Sequence, residues 1–253
     1  HLDISGDEVG LGKTSDAAMV IEELAARGQA DRVLIVAPAP LTTQWQEELR
    51  EKFDRNYVIY DRDYVEAKRD AFPAENVWSH ENRIITSIDF AKQEDMLAAL
   101  ENVQEEWDVA LFDESHHLTA RREGKRGRNE TDRYKVGKAV SDTSDGLLFL
   151  TGTPHKGKRD QFYFMISLLD PYRFPHEDAV NREGLEDLMI RRLKSEMYEA
   201  DGSKMFPEKN IKTLPVNLKK RERELYEDIT EYITEHYNLA TREDNDAAGF
   251  AMV

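Results

Sequence analysis

The chain has 253 residues, of which 40% are hydrophobic and 34% charged, and it contains no cysteine. This length suits one large domain or two small ones, and the lack of cysteine excludes disulfide scaffolds, thiolate zinc sites and cysteine nucleophiles. No apolar run approaches the ~20 residues that span a bilayer, and the first residues do not resemble a secretory signal. We therefore expect a globular cytoplasmic protein with no membrane partner.

The charge is strongly acidic: 51 Asp and Glu stand against 35 Lys and Arg, for a net charge of −16. A generic nucleic-acid binder would be basic, but a local basic patch is sufficient for binding. Two explanations of the acidic surface stay open, an ordinary solvated surface and adaptation to a salt-rich cell. Arginine outnumbers lysine, which mildly favours the second.

Short apolar segments alternate with amphipathic helical segments through the first two-thirds of the chain. The apolar segments are Val33–Val36, Ile84–Thr86, Val109–Phe112 and Leu147–Leu150. Continuous apolar runs are typical of strands buried on both faces, as in a parallel sheet. The alternation predicts an α/β fold, with a mostly parallel central sheet flanked by helices and right-handed crossovers. Ligands of such sheets bind at the carboxyl ends of the strands.

Helical periodicity adds detail to this fold. Leu41, Trp45, Leu49 and Phe53 recur every four residues and predict one buried helix face. A second helix is predicted over 161–169, ended by Asp170-Pro171. Beyond residue 176 the chain is more charged, with a weak helix over 185–193, an extended piece over 211–218 and an apolar helical stripe from Leu225 to Ala240.

This change in character predicts three segments. Residues 1–175 form an α/β lobe, 176–217 a charged connecting segment or protrusion, and 218–253 a C-terminal helical extension. The apolar stripe of the extension is wider than a lone surface helix needs, so we expect it to pack on a substantial surface.

The strongest local motif is Gly6-Asp7-Glu8-Val9-Gly10-Leu11-Gly12-Lys13-Thr14, just before a helical run that ends near Arg27. A glycine-rich loop at a helix N-terminus presents backbone N–H groups to phosphate oxygens. In such a loop Lys13 reaches the β- and γ-phosphates and the Thr14 hydroxyl ligates Mg²⁺. The strict pattern has glycine where Asp7 stands, so a simple glycine-rich turn remains the alternative.

Two further motifs follow predicted strands. Trp107–Phe112 ends in Asp113-Glu114-Ser115-His116, which suits either a helix N-cap or, with the phosphate loop, a magnesium site. In the second interpretation Asp113 holds Mg²⁺ and Glu114 orients the attacking water. After the next strand, Thr151 and Thr153 are placed to sense a γ-phosphate or to bond Asp113 and His116, although an ordinary strand exit is also compatible.

The ordered motifs DEVGLGKT, VLIVAPAPLTTQW, IITSIDF, LFDESHH and LFLTGTPHKGK resemble those of superfamily-two helicase-type ATPases. More narrowly, they resemble the Swi/Snf group and its prokaryotic RapA/HepA-like branch. FYFMISLLDPYRF, IRRLKSEM and LPVNLKKRERELY continue the resemblance, so that it covers nearly the whole chain. The family accepts aspartate at the position of Asp7.

The resemblance implies the first RecA-like lobe of a two-lobed, ATP-driven translocase on double-stranded DNA. By matching position, the residues that contact ATP and Mg²⁺ are Asp7, Glu8, Gly10, Leu11, Gly12, Lys13 and Thr14. Asp113 and Glu114 match the hydrolytic pair, while His116, Thr151 and Thr153 match residues that couple nucleotide state to lobe movement. Pro38, Thr86 and Ser87 match segments that touch the nucleic-acid backbone.

By the same resemblance, we expect the adenine-recognition glutamine and the second RecA-like lobe, with its arginine fingers, to lie outside this sequence. An arginine finger contributes on the order of 10³–10⁵ in rate, so we expect this chain alone to hydrolyse ATP slowly. The expected partners are double-stranded DNA, the second lobe, and a protein complex on DNA such as RNA polymerase. The alternative function is a nucleotide-dependent binding module for DNA or protein without turnover.

A basic cluster stands out in this acidic chain. It consists of Arg121, Arg122, Lys125, Arg126 and Arg128. Its glycines and its position after His117 predict a flexible loop near the functional edge. The loop is interpreted either as a solvated surface or as a salt-sensitive contact with a phosphate backbone.

Overall fold

The computed structural model describes residues 4–5, 12–123, 127–152, 159–185, 188–190, 198, 201, 203–205 and 219–242. The chain divides into two compact units, residues 1–206 and residues 207–253. In the first unit the strands are β1 (Ile4–Ser5), β2 (Val33–Ala37), β3 (Val58–Tyr60), β4 (Arg83–Ser87), β5 (Trp107–Phe112), β6 (Ala120–Glu123), β7 (Gly127–Glu130), β8 (Ser144–Leu150) and β9 (Met189–Ile190).

The helices of the first unit lie between these strands. They are α1 (Lys13–Ala26), α2 (Thr42–Phe53), α3 (Arg62–Ala71), α4 (Ile88–Ala91), α5 (Glu94–Glu101), α6 (Asp132–Asp142), α7 (Arg159–Leu169) and α8 (Arg182–Leu185). In the second unit, α9 spans Lys220–Arg242.

Seven of the described strands form one sheet in the order β3-β4-β2-β5-β8-β1-β9, and every pairing in it is parallel. The last residues of the central strands stand side by side, since Ala37 pairs with Ser87 and Phe112 pairs with Val36 and Phe149. The predicted α/β fold with a parallel central sheet is therefore confirmed. The carboxyl ends of β4, β2, β5 and β8 share one edge, where ligands of such sheets bind.

Two hydrophobic clusters cover the two faces of this sheet. Alternate residues of β2 divide between them: Leu34 and Val36 face one cluster, while Val33, Ile35 and Ala37 face the other. This follows from the period of two along a strand. Helices α1 and α2 pack on the second face, and α3, α4, α5, α6 and α7 pack on the first.

The edge where the strands begin is closed by polar contacts. Asp108 Oδ2 accepts hydrogen bonds of 2.7 Å from the backbone N–H groups of Asp31 and Arg32. Arg32 donates to the carbonyls of Glu106 and Trp78 at 3.2 and 3.3 Å, and its guanidinium carbon lies 4.3 Å from the centre of the Trp107 ring. These contacts join the starts of β2 and β5.

The four predicted strands and the helix over 161–169 are present, and Trp45 and Leu49 of α2 are buried as expected. The helix predicted over 185–193 is wrong, because Met189–Ile190 pair with β1 as strand β9. A parallel partner distant in sequence here outweighs local helical periodicity. The extended piece predicted over 211–218 lies outside the described residues.

The basic cluster was predicted as a flexible loop, and this is wrong for the part that the structure describes. Strands β6 and β7 pair antiparallel, with Arg121 opposite Asn129 and Arg122 opposite Arg128. The pairing is anchored by Ala120, which is fully buried. Three of the five basic residues thus lie on a two-stranded hairpin, while Lys125 and Arg126 fall outside the described residues.

In the second unit, α9 carries the predicted helical stripe. Four residues of this stripe are 49–64% exposed: Leu225, Tyr226, Ile229 and Tyr232. The expectation that the stripe packs on a substantial surface is therefore wrong for these four residues. The division of the chain at residues 175 and 217 stays a prediction. Among the described residues, no helix combines the length and the apolar character that crossing a membrane requires.

Candidate nucleotide-binding site

The N-terminus of α1 is the first element of the site. Gly12 precedes it with φ +84° and ψ 25°, a left-handed conformation that glycine adopts without steric cost. Glycine has no side chain to cap the first-turn N–H groups, and a helix start of this kind favours a phosphate. Thr14 lies partly buried in that turn, while Asp7, Glu8, Gly10 and Leu11 lie outside the described residues.

Lys13 extends from this turn toward the end of β5. Its side chain is 11% exposed, and its Nζ lies 3.8 Å from Glu114 Oε1. The ammonium makes no hydrogen bond to any described group. A buried ammonium is stable only beside compensating acceptors, so this position suits an anionic ligand that supplies them.

Asp113 follows the last residue of β5 and is held by three hydrogen bonds. Its N–H donates to the Val36 carbonyl at 2.8 Å, its Oδ1 accepts from the Glu114 N–H at 2.9 Å, and its Oδ2 accepts from Trp45 Nε1 at 3.0 Å. Burial raises the pKa of Asp113, and the Trp45 hydrogen bond opposes that rise. The helical spacing of Trp45 predicts only a core role for this residue, and no sequence pattern indicates its contact with Asp113.

Glu114 adopts a left-handed backbone conformation, with φ 50° and ψ 44°. Its Oε2 lies 3.0 Å from His116 Nδ1. The hydrogen bond from His116 is the main cause that lowers the pKa of Glu114, and the charge of Lys13 acts in the same direction. The carboxylate is therefore held in its ionised form, as a group that accepts a proton or orients water must be.

His116 links this turn to the end of β8. Its Nδ1 lies 3.0 Å from Thr151 Oγ1, and Thr151 is fully buried. A hydrogen on Nδ1 can be shared between Thr151 and Glu114, so His116 bridges the two strand ends. Thr153 lies outside the described residues. Ser115, also buried, presents a hydroxyl with no hydrogen-bond partner among the described groups.

Three of the residues predicted to contact nucleic acid, Pro38, Thr86 and Ser87, lie at the same sheet edge. Pro38 follows β2 and opens the short turn Ala39–Leu41. The Thr86 hydroxyl is buried and donates to the Tyr60 carbonyl at 3.1 Å, and Ser87 Oγ accepts from the Phe90 N–H at 3.0 Å to cap α4. The Thr86 hydroxyl therefore uses its hydrogen within the fold, whereas the Ser87 hydroxyl acts there only as an acceptor and keeps its own hydrogen to donate. Arg121 is exposed.

The groups present fit ATP and Mg²⁺. The buried ammonium of Lys13 lacks hydrogen-bond acceptors, and Asp113 offers the carboxylate oxygens that Mg²⁺ prefers. Within the described ranges, no group of three or more His, Asp or Glu could hold a metal by itself. A magnesium ion at this edge would thus be held by Asp113 and Thr14 together with phosphate oxygens, as is usual for this ion.

Comparisons with known proteins show to which family the chain belongs. The family described as "Type III restriction enzyme, res subunit" matches residues 8–156, more than half of the chain. The RNA polymerase-associated protein RapA of Vibrio parahaemolyticus is 34% identical over 180 residues, which cover 70% of this chain and 17% of that protein. RapA of Erwinia tasmaniensis is 35% identical over 170 residues, covering 66% and 16%.

Two solved structures share the fold. The SWI2/SNF2 ATPase core of Sulfolobus solfataricus in complex with double-stranded DNA superimposes with a TM-score of 0.58 at 19% identity, over 76% of this chain and 40% of that one. The same core domain solved separately gives a TM-score of 0.54 at 19% identity, over 79% and 40%. The chain spans about a sixth of the length of the RapA relatives. It belongs to the family described as type III restriction enzyme, res subunit, and its resemblance to a RecA-like first lobe of the superfamily-two Swi/Snf group, RapA/HepA-like branch, is confirmed by the RapA relatives and by the fold of the SWI2/SNF2 core.

Proposed function

We propose that this chain is the ATP-binding lobe of an ATP-dependent DNA translocase that remodels protein–DNA complexes. The observation that carries the proposal is the meeting of Lys13, from the start of α1, with Glu114, from the end of β5, at an Nζ–Oε1 distance of 3.8 Å. A buried cation and a carboxylate pair at one edge of a parallel sheet are the groups that phosphoryl transfer requires.

Each side chain has a defined task in this proposal. Lys13 binds phosphate oxygens, and Thr14 and Asp113 hold Mg²⁺, which neutralises charge on the phosphates when it is bound. Glu114 orients the attacking water and accepts its proton. His116, which contacts both Glu114 and Thr151, senses whether the phosphate is present. Positioning and charge neutralisation, rather than covalent chemistry, account for most catalysis of this type.

The proposed partners follow from the relatives. One Sulfolobus core was solved with double-stranded DNA, and the RapA relatives are named for association with RNA polymerase. We assign double-stranded DNA to this chain on that basis, contacted near Pro38, Thr86 and Ser87 and by the basic hairpin. A second RecA-like lobe supplies arginine fingers, and a protein complex such as RNA polymerase is the object that is displaced.

Binding of a fluorescent ATP analogue to the chain tests the first part of this proposal. Lys13→Ala should weaken binding at least tenfold, because its buried ammonium lies beside the carboxylate pair without a hydrogen-bond acceptor among the described groups. Lys52→Ala is the matched control, since Lys52 is a half-exposed lysine that bonds Ser15 of α1. Equal affinity of the wild type and Lys13→Ala would contradict a phosphate role for Lys13.

The second candidate function is a nucleotide-dependent binding module without turnover. The contacts of Glu114 favour it. Among the described residues its carboxylate lies within 4 Å of Lys13 and His116 and of no arginine, and arginine fingers supply much of the rate. Single-turnover hydrolysis of bound ATP with duplex DNA separates the two functions. Slow but measurable hydrolysis that Glu114→Gln abolishes supports the translocase lobe, whereas binding without any hydrolysis supports the module.

A further inference from the structure

Asp113 is held by two residues on either side of the connection between β2 and α2. At the strand end, the Val36 carbonyl accepts the Asp113 N–H at 2.8 Å. At the helix end, Trp45 donates its Nε1–H to Asp113 Oδ2 at 3.0 Å. Trp45 lies in the first turn of α2 and is 1% exposed, so its indole has little freedom to move away from the carboxylate.

From these contacts we infer that Trp45 is a positioning residue for Mg²⁺ and that its indole N–H fixes the orientation of the Asp113 carboxylate. This inference rests on the proposed function. The other oxygen, Oδ1, is fixed by the Glu114 N–H at 2.9 Å, so that rotation of the carboxylate would break one hydrogen bond or both. Each oxygen keeps further acceptor capacity for a metal ion or its water shell.

Packing alone does not explain a tryptophan at this position. Trp45 belongs to the cluster between the sheet and helices α1 and α2, where a phenylalanine would also provide apolar surface. A hydrogen bond to a carboxylate is about twice as strong as one between neutral groups. Partners that orient a metal ligand typically change metal affinity by about 10–100-fold when they are removed.

The connection that leads from β2 into the helix of Trp45 is held by its own hydrogen bonds. The Leu41 N–H donates to the Pro38 carbonyl at 2.8 Å, and Thr42 Oγ1 donates to the Ala39 carbonyl at 3.0 Å. These bonds fix the short turn Ala39–Leu41 against the start of α2. The indole is thus attached to a rigid element, which is the condition for a side chain to orient another group.

The chain contains its own control for this inference. Trp78 is as deeply buried as Trp45, and its Nε1–H donates to the Met96 carbonyl at 3.0 Å on the other face of the sheet. Trp45→Phe and Trp78→Phe therefore each remove one hydrogen bond donated by a buried indole N–H. Only the first of these bonds involves the proposed metal ligand.

Titration of Mn²⁺ against the chain with saturating ATP, followed by electron paramagnetic resonance, provides the test. Trp45→Phe should weaken Mn²⁺ binding by about tenfold or more, while ATP binding in excess chelator stays within about twofold of wild type. Trp78→Phe should leave both constants unchanged. Circular dichroism melting of each variant reports how much stability the missing hydrogen bond had carried.

The outcomes are distinguishable. Equal Mn²⁺ affinity of the wild type, Trp45→Phe and Trp78→Phe, with ATP bound, would overturn the inference and leave the proposed function intact. A wild type that binds neither ATP nor Mn²⁺–ATP would overturn both. If Trp45→Phe does not fold, replacing residue 45 by benzothienylalanine in a Trp78→Phe, Trp107→Phe background keeps the ring and removes the N–H. The same tenfold loss relative to that background is then expected, and no loss would refute the inference.

Discussion

Lys13 Nζ and Glu114 Oε1 lie 3.8 Å apart across the gap between the start of α1 and the end of β5. This pair is a direct side-chain contact between the part of the candidate site at the start of α1 and the part at the end of β5. A phosphate oxygen that binds Lys13 competes with Glu114 for the same ammonium. Since Lys13 also helps to lower the pKa of Glu114, phosphate binding and the basicity of the carboxylate are linked.

Glu114→Gln should retain ATP binding and lose hydrolysis. The amide keeps the size of the side chain but neither accepts a proton nor orients water as the carboxylate does, so we expect single-turnover hydrolysis to fall about 100-fold or more. ATP affinity should stay within about threefold of wild type. Rapid-quench assays with duplex DNA measure the rate. Glu23→Gln, on the exposed side of α1, is the control, and undiminished hydrolysis in Glu114→Gln would remove the role assigned to Glu114.

Replacement of the basic cluster Arg121, Arg122, Lys125, Arg126 and Arg128 by alanine should weaken binding to duplex DNA. A plot of the logarithm of the binding constant against the logarithm of the salt concentration has a negative slope. For each phosphate that the variant no longer neutralises, this slope should become less steep by about 0.9, so DNA binding by the variant should be less sensitive to salt. Fluorescence anisotropy at several salt concentrations measures both quantities. Arg27→Ala with Arg50→Ala, at the far ends of α1 and α2, should leave them unchanged. Unaltered binding by this five-residue variant at low salt would show that the basic cluster is only a solvated surface.

Backbone strain at Glu114 should be measurable as stability. Glu114 and Asp54 are the non-glycine residues with positive φ among the described residues, at 50° and 53°. A left-handed conformation costs a residue with a Cβ about 1–2 kcal/mol. Glu114→Gly should therefore be about 1 kcal/mol more stable than Glu114→Ala, and Asp54→Gly more stable than Asp54→Ala. For a chain of this size the melting temperature rises by about 2–4 °C per kcal/mol.

At a position with ordinary helical geometry, the glycine variant should be less stable than the alanine variant. In α1, Glu23→Gly should be about 1 kcal/mol less stable than Glu23→Ala, because glycine is a poor helix former. Glycine variants that are less stable than their alanine counterparts at all three positions would show that residues 54 and 114 carry no strain. Thermal denaturation of the six variants decides the question.

Asp89 should make stability depend on pH in the acid range. Its carboxylate accepts hydrogen bonds of 2.8 Å from Lys92 and from Arg133, joining α4 to α6, and the Lys92 hydrogen bond is the main cause that lowers its pKa. A lowered pKa in the folded state means that this stabilisation is present above the unfolded value of about 3.9 and is lost as the pH falls below it.

Asp89→Asn should accordingly show a shallower fall of melting temperature below about pH 4 than the wild type. Ser87→Ala removes the cap of α4 without removing a titratable group, so it should lower the melting temperature by a similar amount at every pH. Parallel acid-side slopes for Asp89→Asn and wild type would contradict the stabilising role of the Asp89 carboxylate.

Much of the fold could be predicted because its central strands are buried on both faces. The runs at β2, β4, β5 and β8 are apolar without interruption, which is a strong local signal. Strand β3 was not predicted, since it has only three residues and two of them are half-exposed. Strand β9 depends on its pairing with β1, about 185 residues away in sequence, and no local pattern encodes such a pairing.

The candidate site shows the same division. Lys13, Asp113, Glu114, His116 and Thr151 could be proposed from the sequence because each stands at a strand end or helix start within a short motif. Trp45 could not, because its spacing with Leu49 describes a core position. Its bond to Asp113 joins residues 68 positions apart and depends on how α2 packs against the sheet.

Strand β5 has the proposed metal ligand Asp113 at its end and, at its beginning, a junction of contacts that only stabilise the fold. Its six residues separate Asp113 from the Arg32–Asp108–Trp107 contacts by about 20 Å. Damage at the junction would reduce the fraction of molecules that are folded, yet those that do fold would retain unaltered ligand affinity. Substitutions at the beginning of β5 can therefore change the thermal stability of the protein while the residues proposed to contact the ligand, at the end of β5, stay unchanged.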